Sequence, residues 1–93
     1  MISVIIPACN EEKYIPETIN SIHKQNYRQY EIIIICNGCT DNTFDVAKNK
    51  VDKIMNFPWK NIAKARNEGA RIAKYNKLVF LDADTVLVGD VLK

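Results

Sequence analysis

The chain has 93 residues, room for one domain, and its 47% hydrophobic and 26% charged side chains are the balance of an ordinary globular protein. A formal net charge of +2 is too small to argue for nucleic acid or an anionic membrane surface as a partner. No apolar run approaches the roughly 20 residues that cross a bilayer; the first, Ile2 to Ala8, has no basic region before it and is interrupted by Pro7, unlike a secretory signal.

Two periodicities alternate along the chain. Ser3-Val4-Ile5-Ile6 is a continuously apolar, β-branched run, as expected for a strand buried on both faces. Pro7-Ala8-Cys9-Asn10 reads as a loop. Ile15, Ile19 and Ile22 then recur at helical spacing, with Pro16 in the first turn, where its missing N–H costs nothing. Glu31 to Ile35 is a second buried strand, running into Cys36-Asn37-Gly38-Cys39-Thr40-Asp41, where Thr40 or Asp41 can cap a second helix striped by Phe44, Ala47 and Val51. Lys53 to Phe57 is a third strand ended by Pro58. Ile62, Ala65, Gly69, Ile72 and Ala73 line one face of a third helix, and Lys77 to Leu81 is a fourth strand that delivers Asp82. This order predicts an α/β fold: an open, mostly parallel sheet of about four strands with helices on both faces.

In open parallel sheets, ligands bind outside the carboxyl ends of the strands, near a reversal in strand order. The polar clusters fall at those ends: Cys9-Asn10-Glu11-Glu12, Asn37-Gly38 and Asp82-Ala83-Asp84. In extended chain, Asp82 and Asp84 point to one side and offer two hard oxygen ligands suited to magnesium or manganese. Spacing alone leaves a second reading open, a polar strand end beginning a turn. Gly38 permits a sharp turn or a close ligand approach, and Asn37 has the donor and acceptor needed to read a base edge, although Asn-Gly also makes plain turns. Arg66 has the fork geometry for a pyrophosphate or simply faces solvent. Cys36 and Cys39 form a C-x-x-C at a helix start, compatible with redox work or with ordinary packing. Three cysteines and no signal favour free thiols in a reducing compartment.

Four segments together resemble the family 2 inverting glycosyltransferases of GT-A fold. Ser3 to Glu12 resembles S-V-I-I-P-x-Y-N-E, Cys36 to Thr43 resembles D-D-G-S-T-D-x-T, Ala65-Arg66-Asn67-Glu68-Gly69 resembles A-R-N-x-G, and Phe80 to Asp84 resembles F-L-D-A-D. The resemblance implies that residues 1–93 are a nucleotide-sugar-binding domain, truncated relative to a full glycosyltransferase. Pro7, Ala8, Asn10 and Glu12 would sit around the nucleotide with Gly38; Asn37 would read the base; Arg66 and Asn67 would border the diphosphate. Asp82 would contact ribose or metal, and Asp84 would bind a divalent metal, Mg or Mn, that neutralises charge on the departing nucleoside diphosphate. Cys9 stands where the family has an aromatic, and Cys36 and Asn37 where it has two acids.

The resemblance also implies an unknown acceptor and a catalytic base in a further C-terminal segment, beyond Lys93. None of these 93 residues is assigned as catalytic. Cytoplasmic residence is expected, at the inner membrane face if missing segments carry the chain there. An uncovered sheet edge or face predicts a homodimer or dependence on a partner segment. Two other functions compete: a non-catalytic nucleotide-sugar-binding module and a thiol redox protein built on Cys36 and Cys39. A sugar nucleotidyltransferase would want a glycine-rich loop after the first strand, which Pro7-Ala8-Cys9-Asn10 is not.

Overall fold

The structure is a computed structural model and describes residues 1–27 and 29–89. The elements run β1 (Ile2–Ala8), α1 (Ile15–His23), β2 (Tyr30–Asn37), α2 (Thr43–Ala47), β3 (Lys53–Phe57), α3 (Ile62–Ile72) and β4 (Lys77–Phe80). They build one four-stranded sheet in the order β3-β2-β1-β4, with every pairing parallel.

The two faces of the central strands explain their unbroken apolar sequences. Val4, Ile6, Ile32 and Ile34 meet Ile15, Ile19 and Ile22 of α1 and Ala47 of α2. Ile5, Ile33 and Ile35 point the other way, against Ala65 of α3. Gly69 lets α3 lie close on β1: a Cβ there would come within 2.4 Å of the Ile5 side chain. Helices thus cover both faces, as the sequence pattern requires.

Four local expectations are corrected. Pro7 and Ala8 are not loop but the end of β1. Pro7 is tolerated in an inner strand because pairing with β4 stops at Ile5–Phe80, so no ladder partner stands on that side of Pro7. Neither Thr40 nor Asp41 is the N-cap of α2. Asn42 holds that position without a side-chain cap bond, while Asp41 Oδ1 accepts from the Thr43 N–H at 2.9 Å. Ile62, expected on the buried face of α3, is 49% exposed because it opens the helix at the rim of the sheet. Leu81 lies just past β4, although its N–H still donates to the Ile5 carbonyl.

The rim at the N-terminal ends of the strands carries a carboxylate too. Glu31 is buried at the N-terminal end of the strands. Its Oε2 accepts from Ser3 Oγ at 2.6 Å and from the Lys74 N–H, and Lys53 Nζ lies 3.1 Å from Oε1. Burial works to raise the Glu31 carboxyl, but the bonds from Ser3, Lys74 and Lys53 outweigh it and hold the pKa below the ordinary value.

Candidate functional site

Chain order turns outward from β1 in both directions: β2 and β3 lie on one side, β4 on the other. The reversal therefore falls between β1 and β4, where an open α/β sheet leaves a crevice. A cavity of about 290 Å³ opens there. Pro7, Ala8 and Cys9 form its β1 wall, Asp82, Ala83 and Asp84 form the wall beyond β4, and Glu11, Asn37 and Ile62 complete it. A larger cavity of about 420 Å³ runs along α1, between Lys13, Glu17, Lys24 and Val86, away from the strand ends.

Asp82-Ala83-Asp84 is not extended. The Thr85 N–H donates to the Asp82 carbonyl at 3.0 Å, so the segment is a turn, and the same-side argument from strand geometry does not apply. The turn still leaves both aspartates lining the cleft. Both aspartates are exposed, and neither is in a salt bridge among the described residues. Glu11 joins them. Burial, and then the charges of Asp84 and Asp41, push its carboxyl above the usual range.

This donor set fits a hard divalent cation. Among the described residues no three His, Cys, Asp or Glu side chains gather closely enough to hold an ion by themselves. Magnesium and manganese suit such a place, because one or two protein carboxylates suffice when water and phosphate oxygens fill the shell.

Of the residues expected at the site, Pro7, Ala8, Asn37, Asp82 and Asp84 come together on the cleft. Asn37 is buried, and its Oδ1 accepts from the Asn61 N–H at 2.6 Å, which leaves Nδ2 as the group able to donate to a ligand. Asn10, Glu12, Gly38, Arg66 and Asn67 are not in its lining. Asn10 joins two loops instead. It adopts φ 55°, and its Oδ1 accepts from the backbone N–H groups of Thr40, at 2.7 Å, and Asp41, at 3.2 Å. Glu12 is exposed, with its N–H directed to Asp41. Gly38 takes φ 69° and donates its N–H to the Phe57 carbonyl; a Cβ there would fall 2.3 Å from the Lys60 side chain. Arg66 and Asn67 are exposed on α3.

Glu11, Cys9 and Ile62 are cleft residues that sequence reasoning did not assign. Their one signal was position, each lying within a few residues of a strand's carboxyl end. Choosing Glu11 over Glu12 needs the left-handed bend at Asn10. Within the C-x-x-C, Cys36 is poorly placed for thiol chemistry. Cys36 is fully buried, and burial, with Cys39 beside it, pushes its thiol up to about 12. Cys39 Sγ instead contacts the Ala8 carbonyl at 3.3 Å, and all three cysteines are free.

The profile of Glycosyl transferase family 2 matches residues 3–93. The chain belongs to that family. Among relatives, the poly-beta-1,6-N-acetyl-D-glucosamine synthase of Staphylococcus epidermidis is 36% identical over 96% of this chain and 23% of the synthase. Residues 1–349 of Staphylococcus aureus TarS, in complex with UDP-GlcNAc, superimpose with TM-score 0.79 at 30% identity, over 89% of this chain and 26% of that fragment. The mannosyltransferase PcManGT of Pyrobaculum calidifontis, in complex with GDP-Man and Mn2+, shares the fold with TM-score 0.83 at 24% identity, over 91% of this chain and 28% of that protein. The chain thus spans about a quarter of the length of each. No helix among the described residues is long and apolar enough to cross a membrane.

Proposed function

We propose that this chain is the donor-binding half of an inverting glycosyltransferase. It holds a nucleoside-diphosphate sugar in the crevice between β1 and β4. The observation that carries this reading is the meeting of Asp82 and Asp84 with Pro7, Ala8 and Asn37 at the strand-order reversal, in a chain of this family.

Asp82 and Asp84 would hold magnesium or manganese, with Asp82 also within the family's ribose-contacting position. When bound, such a cation supplies charge neutralisation for the departing nucleoside diphosphate. Pro7 and Ala8 give the nucleotide an apolar wall, and Asn37 Nδ2 donates to the base without the charge assistance of an acid. Glu11 adds negative potential that favours a cation–diphosphate pair over a bare diphosphate. Arg66 and Asn67 would have to reach the diphosphate from outside the present lining. Free thiols support residence in the reducing cytoplasm. We also propose self-association through the β4 edge, where Phe80 is 45% exposed; a concentration-independent monomer in sedimentation would end that part.

The test is calorimetric titration of the protein with UDP, GDP and other nucleoside diphosphates, with and without Mn2+, with Asp84→Ala as control. Metal-dependent binding that the substitution removes supports the site. Metal-dependent binding that survives it refutes the assigned metal role. Sugar transfer from a bound donor separates the enzyme from a binding module.

A further inference from the structure

The two aspartates owe their positions to a turn, and two hydroxyls on α1 hold that turn. Thr18 is 0% exposed in the middle of α1. A helical threonine ordinarily bonds its own helix, and Thr18 Oγ1 does lie 3.3 Å from the Tyr14 carbonyl. Its shorter contact, at 2.8 Å, crosses to the carbonyl of Ala83, the residue between Asp82 and Asp84. A hydroxyl has one proton, and 2.8 Å is the ordinary O–H···O distance, so the donation goes to Ala83. Ala83 is buried, and its carbonyl without this donor would be an orphaned acceptor.

Ser21, one turn along the same face, holds the far end of the segment. Its Oγ accepts from the Leu87 N–H at 3.0 Å and donates to the Thr18 carbonyl at 2.7 Å. Residues 82–87 are therefore pinned to α1 at two points. The Asp82 and Asp84 side chains themselves make no hydrogen bond to described residues that could orient them instead.

We infer that Thr18, supported by Ser21, is a positioning residue for the metal-binding aspartates. It fixes the turn from behind so that both carboxylates face the cleft without rearrangement on binding. This rests on the proposed donor site.

The test compares UDP binding with and without Mn2+ for the protein and for Thr18→Val, Thr18→Ser and Asp84→Ala. Thr18→Val keeps the shape and removes the donor. It is expected to weaken Mn2+-dependent UDP binding about tenfold while metal-free binding is unchanged, and Thr18→Ser is expected to restore it to within about twofold. A folded Thr18→Val variant with parental Mn2+-dependent affinity overturns the inference, as does equal loss in Thr18→Ser. If Thr18→Val does not fold, Ser21→Ala replaces it, with a loss of about threefold expected and parental affinity counting against the inference. Failure of Asp84→Ala to reduce binding instead condemns the donor site itself, so the two failures are distinguishable.

Discussion

The two rims of the sheet carry carboxylates in opposite circumstances. At the N-terminal rim, Glu31 is buried and supplied with donors by Ser3, Lys74 and Lys53. At the C-terminal rim, Asp82 and Asp84 are exposed and Glu11 is pushed above the usual carboxyl range, with Asp84 among the causes. A satisfied buried carboxylate is a structural tie, because removing it orphans its donors. Asp84 helps to raise the Glu11 carboxyl, a repulsion that water and salt screen and that a bound cation would relieve further. The same residue chemistry thus does different work according to what faces it, and each rim can be tested against the other.

The largest expected contrast is in ligand binding. Asp84→Ala should reduce Mn2+-dependent UDP affinity by about 100-fold, at the upper end of what even indirect metal partners cause. Its thermal midpoint should stay the same or rise, since a repulsion is relieved; a clear fall in stability would place Asp84 in the structural class with Glu31.

Glu31→Gln should show the reverse. Losing the charge that binds three donors is expected to cost about 2 kcal/mol in urea unfolding. Lys53, 37% exposed, keeps access to water, which holds the cost below that of breaking a fully buried pair. UDP affinity per folded molecule should be unchanged, and a selective loss of affinity would break the separation of the rims.

Acid titration sharpens the same point. The folded Glu31 carboxyl is held below its unfolded value, so its contribution is complete above about pH 4.3 and is lost as pH falls through the folded value. Urea midpoints measured across this range should fall with acid, and Glu31→Gln should lack that part of the slope.

The smallest effect concerns Asn10, which sits on the functional rim but bonds like a structural residue. Asn10→Ala removes the acceptor for the Thr40 and Asp41 N–H groups and should cost about 1 kcal/mol of stability. UDP titration of the folded variant should show a far smaller loss than Asp84→Ala. A comparable loss would mean that Asn10 turns to the nucleotide when the donor binds.

Element types and order were legible because burial writes itself into local sequence. Strands covered on both faces read as unbroken Ile and Val, and α1 reads as Ile15, Ile19 and Ile22 at helical spacing. β3 falls at Lys53–Phe57 as the sequence indicates, with Pro58 marking its end. Boundaries blurred where tertiary pairing intervened. Pro7 reads locally as a breaker, and only the early end of β4 lets it sit in β1. Asp82 and Asp84 were legible as residues at a strand's end, but their turn and its tie to Thr18 depend on a contact spanning 65 positions.

Sequence by itself therefore determined the α/β alternation, the parallel sheet and the gathering of polar clusters at one set of strand ends. Each follows from the period of hydrophobic residues and the direction the chain must run. Tertiary structure alone decided that β4 lies beside β1, so that Asp84 meets Pro7 and Glu11 across one crevice. It also decided that Glu31 is buried among donors while the Asp84 side chain is exposed. Strand order and the pairing of a charge are set by residues far apart in sequence, and no local pattern records which of them will face each other.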